Sequence, residues 1–349
     1  MLNDRQMGEI REHLERAQNP VFYYDNDADG LCSYVLFARF LGRGKGVAVR
    51  SFPDLNKSYA RKASELGADY VFVLDKPIIS KEFVEEIDKL GLPLVWIDHH
   101  DVKNGEFDEK EFKNFYVYNS GRGKKEAEPV TYIAYTTTQI KNDIWIAMMG
   151  CIADHFLPDF ADEFYSRWPD FWASDVKQPF DAYFGTEIGR LAKALNFGLK
   201  DSVSNVVRLQ KFLVLCSSPM DVLSEVPANY SFRNKVSEVR VKYRELLERA
   251  RGCISGKMLF FEYAGELSIS ADLANELSYL FPKKFIVVSY KKGEIANLSL
   301  RGKDVKGILE KVFAKVGGSG GGHEDAVGAR IKTSDLPKFR EVFEEEIKG

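Results

Sequence analysis

The chain has 349 residues, 45% of them hydrophobic and 29% charged, with a formal net charge of −3. That length favours two domains over one, and the composition is that of a globular protein able to bury a sizeable core. No apolar run approaches the roughly 18 residues of a membrane span, and the scattered Cys32, Cys151, Cys216 and Cys253 argue against a disulfide framework or a zinc site. A reducing cytoplasm is the expected setting. The charged, helical start (residues 1–20) does not read as a signal peptide. A net charge near zero does not advertise non-specific DNA binding, yet 49 Lys and Arg leave room for a local basic groove.

The first 160 residues alternate strands with helix-length segments. Strands are predicted at 20–24, 47–52, 70–74, 92–97 and 115–118, with helices over 31–41 and 59–66. Such alternation implies parallel β-α units, whose ligands gather beyond the carboxyl ends of the strands. Residues 144–156 read as a buried helix. Residues 160–228 are helical, aromatic and irregular. Phe164, Tyr165, Trp168, Phe171, Trp172, Phe180, Tyr183 and Phe184 crowd that stretch, either stacking bases or packing a core of their own, the second being the more common use. Residues 229–252 form a charged amphipathic helix ending on Gly252, the candidate interdomain connector. Further strands are predicted at 258–263, 284–290, 295–300 and 329–332, with a helix over 271–280 and a glycine-rich stretch over 317–322. The division expected is 1–190, 191–252 and 253–349.

The chemistry lies where strands end. The first runs into Asp25-Asn26-Asp27-Ala28-Asp29-Gly30, the third into Asp75 and the fourth into Asp98-His99-His100, while the buried helix delivers Asp154-His155. A parallel sheet brings these ends to one edge. Aspartates so close repel one another unless a cation joins them. Carboxylates with imidazole suit Mn²⁺, and Mg²⁺ less well. Two ions about 3.5–4 Å apart activate a water and hold a phosphoryl oxygen together, and Asp75, from a middle strand, is the expected bridge. Blander readings exist for each part. D-x-D-x-D-G is also a calcium-loop spacing, but the glutamate an EF-hand needs is replaced by apolar Val35-Leu36-Phe37. A lone strand-end aspartate is more often a helix N-cap, and His155 equally suits a core. The joint pattern favours the site, because three of the five histidines fall within it.

These motifs resemble the DHH phosphoesterase superfamily, in the archaeal-type RecJ-like form of its nucleases. D-x-D-A-D-G at 25–30, Asp75, Asp98-His99-His100 and Asp154 are similar to its four motifs, and Gly321-Gly322-His323-Glu324-Asp325-Ala326-Val327-Gly328 is similar to the DHHA1 signature. The resemblance covers most of the chain. It implies an α/β fold, with a parallel-sheet DHH domain joined through a helical connector to a smaller α/β DHHA1 domain. It implies two Mn²⁺ ions, with Mg²⁺ as substitute, on Asp25, Asp27, Asp75, His99 and Asp154, with Asp29 ligating or orienting. Asp98 would hold His99, and His100 would face the scissile phosphate. Arg301, Gly321, Gly322 and His323 would bind substrate, the glycine amides forming an anion nest. Asn119 is assigned there too, although Ser120 stands where relatives have proline. Val21 replaces a histidine that several members place four residues before the first aspartate. The expected activity is exonucleolytic hydrolysis of single-stranded DNA or RNA to nucleoside monophosphates. Alternatives are a nanoRNase-like or cyclic-dinucleotide phosphodiesterase and a non-catalytic replication or repair scaffold. Replication or repair proteins are candidate partners.

Overall fold

The computed structural model of the chain describes residues 1–51, 54–101, 107–108, 111–124 and 127–348. It divides into two compact units, Met1–Val236 and Ser237–Gly349. Among the described residues no helix is long and apolar enough to cross a membrane.

The first unit holds β1 (Pro20–Asp25), β2 (Lys45–Val49), β3 (Asp54–Leu55), β4 (Tyr70–Leu74), β5 (Ile78–Ile79), β6 (Leu94–Asp98) and β7 (Phe115–Asn119). Five of them form one sheet in the order β2-β1-β4-β6-β7, and every neighbouring pair is parallel. The short β3 and β5 pair separately. Parallel strands are covered on both faces, so they read as unbroken apolar runs; β4 and β6 are buried at every position. Side chains alternate between faces. Val21 and Tyr23 join Val71, Val73 and Trp96 in one core, while Phe22 stacks on Phe72 with centroids 4.9 Å apart. The second predicted strand stops at Val49, and position 52 lies outside the described residues.

Helices α1 (Asp4–Arg16), α2 (Ala28–Leu41), α3 (Arg61–Glu65), α4 (Lys81–Lys89), α5 (Val130–Thr138) and α6 (Ile144–Ala153) cover this sheet or connect it. α2 follows β1 directly: Asp27 caps its first turn and Gly42, at φ 64°, ends it. The strand order reverses between β1 and β4, where chain connections leave in opposite directions. A crevice outside the carboxyl ends opens at such a point, and Asp25 and Asp75 flank it.

Residues 160–228 form α7 (Ala161–Arg167), α8 (Pro179–Gly185), α9 (Glu187–Gly198), α10 (Val203–Leu215) and α11 (Pro219–Leu223). Prolines at the first turns of α8 and α11 start new helices rather than extend old ones, which is why no long period shows in the sequence. Phe164, Phe171 and Tyr183 are buried and Tyr165 is exposed, so much of the aromatic set packs internally. Helix α12 (Tyr230–Arg251) agrees with the expected connector helix, and the division between units falls inside it.

The second unit contains β8 (Ile254–Ser255), β9 (Met258–Ala264), α13 (Ser270–Leu280), β10 (Phe285–Lys292), β11 (Ile295–Arg301), α14 (Val305–Val316), β12 (Ser319–His323), β13 (Ala326–Lys332) and α15 (Leu336–Glu346). Its mixed sheet runs β12-β13-β11-β10-β9-β8, over a core that includes Val287, Leu300, Phe339 and Phe343. The glycine stretch corrects the sequence reading. Residues 319–323 are an edge strand paired antiparallel with β13, so successive amides point to opposite sides instead of forming a nest.

Candidate metal centre

Each residue expected at the centre sits at a strand or helix end. Asp25 is the last residue of β1, Asp98 of β6 and Asn119 of β7, while Asp75 follows β4 and Asp154 follows α6. Asp75 takes a left-handed backbone at φ 57°, a conformation that aspartate tolerates better than most residues. Its amide donates to the Ile97 carbonyl at 3.0 Å, tying the turn to β6. Gly30 is required by close approach: a Cβ there would lie 2.8 Å from the Asp25 amide nitrogen.

Two overlapping groups of potential ligand atoms result, Asp75 with His99 and His100, and Asp29 with His99 and Asp154, the atoms within each group lying within 4.8 Å of one another. His99 Nε2 is 3.2 Å from Asp75 Oδ1 and 3.6 Å from Asp154 Oδ2. Asp75 Oδ1 and His99 Nε2 are buried with no hydrogen-bond partner. Orphaned polar atoms of this kind are rare in folded proteins. A carboxylate oxygen and an imidazole nitrogen aimed at one point fit a divalent cation. Asp154, 37% exposed, forms the open side of the group.

Without a cation the charges are costly. Burial raises Asp75 well above its ordinary range, and the charges of Asp29, Asp27, Asp154 and Asp25 add to the shift. Burial, then Asp25 and Asp29, lifts Asp27 to about 7. Burial likewise lifts Asp154 to about 6, although the charge of His99 works against it. His100 moves the other way in charge. Burial would lower it, but the Asp98 hydrogen bond and the surrounding carboxylates carry it to about 9.

Asp98 is expected to hold His99; the structure corrects this. Its Oδ1 lies 2.9 Å from His100 Nδ1 and its Oδ2 accepts the His100 amide at 3.1 Å. Asn119 is likewise spent on the scaffold and not left for substrate. Its Nδ2 donates to Asp98 Oδ2 at 3.0 Å and to the His100 carbonyl at 3.1 Å, and its Oδ1 accepts the Gly121 and Arg122 amides. Asp29 accepts the Val130 and Thr131 amides at 2.9 and 2.7 Å, capping α5 from another helix, so it orients the first motif while lying beside His99. Asp27 accepts the Gly30 amide at 2.9 Å. Among the described residues, neither Asp25 nor Asp27 belongs to the two ligand groups. His155 packs its ring on Phe180, centroids 4.4 Å apart, and edge-on to Tyr183.

Sequence reasoning missed two residues here. Lys76 is fully buried and bonds Asp25; a lysine directly after a strand-end aspartate is the signal that was available. At Gly121 a Cβ would fall onto the His99 carbonyl. Gly121→Ala is therefore expected to displace His99 and weaken Mn²⁺ binding about 10–100-fold, measured by calorimetric titration. Unchanged affinity in a folded variant would refute that constraint.

In the second unit, Arg301 donates from Nε to Asn275 Oδ1 at 2.6 Å and from Nη1 to the Leu300 carbonyl at 2.8 Å. Burial lowers it to about 10, which leaves it charged at neutral pH. Strand register places Arg301 opposite Ala326, and Ala326 opposite His323. The His323 side chain lies outside the described residues.

Residues 21–153 match the DHH family, N-terminal domain, and residues 256–349 match the DHHA1 domain. A comparison with curated proteins gives no match. The fold is similar to RecJ of Thermus thermophilus in complex with Mn²⁺, at TM-score 0.67 and 14% identity over 99% of this chain and 55% of that one. The chain thus spans about half the length of that relative. It is similar to a manganese-bound exonuclease RecJ at TM-score 0.61 and 14% identity, over 98% of this chain and 93% of that one. It also resembles a pGpG-specific phosphodiesterase, PggH of Vibrio, at TM-score 0.50 and 12% identity, over 95% of this chain and 99% of that one.

Proposed function

Because this chain belongs to the DHH/DHHA1 superfamily, we propose that it is a metal-dependent phosphodiesterase, a RecJ-like exonuclease that hydrolyses single-stranded DNA or RNA to nucleoside monophosphates. The observation that carries the reading is the orphaned pair of Asp75 Oδ1 and His99 Nε2 beside Asp154. Asp75, His99 and Asp154, with Asp29 alongside and Asp25 and Asp27 on the β1 side, would hold two Mn²⁺ ions, Mg²⁺ substituting. Bound ions would supply an activated water and neutralise charge on the phosphate.

The protein's own contribution begins with His100. Its hydrogen bond to Asp98 favours the protonated ring. The Asp98 carboxylate at Nδ1 fixes the ring and leaves Nε2 to donate to an oxygen of the scissile phosphate. Asn119 holds Asp98, so this orientation is set before substrate arrives. In the second unit, the Arg301 guanidinium and His323 would grip a phosphate of the substrate.

A second reading, a short-oligonucleotide or cyclic-dinucleotide phosphodiesterase, is favoured by one observation: Phe164, Phe171 and Tyr183 are buried, which removes three of the eight aromatics from any row on which a long strand could stack. The test is a time course with Mn²⁺ and end-labelled single strands of about three and about thirty nucleotides, with Asp75→Asn as control. Progressive loss of the long strand by the wild type alone is the expected result. Cleavage of the short strand only would move the assignment to the small-nucleotide class. No cleavage of either would sink the enzyme reading and favour a replication or repair scaffold.

A further inference from the structure

Lys76 stands in the centre without a place in the chemistry described so far. Its side chain is 0% exposed. The ammonium donates to Asp25 Oδ1 at 2.8 Å and to the Ser51 carbonyl at 2.7 Å. Its own carbonyl accepts the Trp96 indole N–H at 2.8 Å, so the residue is fixed at both ends. The left-handed turn at Asp75 sends two consecutive side chains to different parts of one site, the Asp75 carboxylate to His99 and the Lys76 ammonium to Asp25.

A buried ammonium persists only when paired and hydrogen-bonded, and here its carboxylate partner comes from the first motif. Among the described residues no imidazole forms a ligand group with Asp25, and Val21 is a core residue. Asp27 is engaged in capping α2. Both groups of convergent ligand atoms lie on the other side, around His99.

We propose that Lys76 is a resident cation that replaces metal charge beside Asp25, so that the two positions load unequally. One divalent ion is held tightly by Asp75, His99 and Asp154. A second enters the Asp25 side only as Lys76 releases that carboxylate, and it is repelled by the ammonium while it does so. Lys76 is thus a positioning residue that sets metal occupancy. The inference rests on the reading above in one respect, that a divalent ion binds this centre at all.

Mn²⁺ titration of the whole chain, by calorimetry and by electron paramagnetic resonance of the free ion, tests it without reference to turnover. The wild type is expected to bind one equivalent tightly and a second at least ~100-fold more weakly, as repulsion by a nearby unit charge in a partly buried site requires. Lys76→Met keeps an unbranched chain and removes the charge. It should tighten the second ion at least ~10-fold and leave the first within about threefold. Asp25→Asn should leave the tight ion in place, and it decides the matter if Lys76→Met does not fold. Two equally tight ions in the wild type would overturn the proposal and leave the enzyme reading standing. So would a folded Lys76→Met with an unchanged second site, or loss of the tight ion in Asp25→Asn. Failure to bind any Mn²⁺ would sink the metal reading itself, and this inference with it.

Discussion

Asp75→Asn is expected to lower turnover at least ~10³-fold, about 4 kcal/mol of transition-state stabilisation, and at the same time to raise the melting temperature of the metal-free chain. The two effects share one cause. Asp75 is 2% exposed, and burial, then Asp29, Asp27, Asp154 and Asp25, disfavours its charged form. Asparagine has the same shape and accepts the left-handed backbone at φ 57° equally well. It keeps the fold, removes the like-charge repulsion and loses the anionic ligand. The gain in the metal-free chain should be roughly 1–2 kcal/mol, seen as a shift of about 2–8 °C. It should grow with pH, because the amide mimics the protonated acid. Stabilisation by Mn²⁺, about 2.7 kcal/mol at a hundred times Kd for the wild type, should largely vanish. Scanning calorimetry with and without Mn²⁺ separates these effects. A variant that melts lower than the wild type and still turns over would show that Asp75 holds structure and not metal.

Much of this centre is legible in the sequence because its carriers are local. A buried parallel strand must be an apolar run, so the ends at Asp25, Asp75 and Asp98 mark themselves, and the topology gathers them at one edge. Partner choice is a different matter, since it is settled over long separations. Asp29 caps α5 through Val130, 101 positions away, and Lys76 reaches Asp25 across 51. Neither pairing leaves a periodic trace. Asp98 illustrates the finer failure. Adjacent His99 and His100 are indistinguishable as letters, and only the turn after β6 decides which ring lies over the carboxylate. The glycine stretch misleads for the opposite reason. Glycine permits both a nest and an edge strand, and the pairing with β13, invisible in composition, selects the strand.

Proton competition supplies the second large effect. Mn²⁺ affinity should rise about 10-fold or more per pH unit between pH 5 and 7 and level off above, each proton displaced contributing up to a factor of ten per unit. Burial, then the neighbouring carboxylates, raises Asp27 to about 7. Burial raises Asp154 to about 6 against the pull of His99, and Asp75 also stands well above its ordinary value. A divalent ion within a few ångströms favours the ionised form of each, ligand or not. The sign for stability follows. These folded-state values exceed the ordinary 3.8, so the folded chain binds more protons than the unfolded one. The contribution of these carboxylates to the stability of the metal-free chain is therefore fully present below about pH 4 and is lost as pH rises through 6 and 7. With saturating Mn²⁺ the trend reverses, because the ion pairs with the charges that were costly alone. Melting curves from pH 5 to 8, in chelator and in Mn²⁺, should diverge with increasing pH. Parallel curves would mean that the carboxylates are already ionised and compensated from within, by Lys76 and His100, and that no divalent ion is needed at this edge of the sheet.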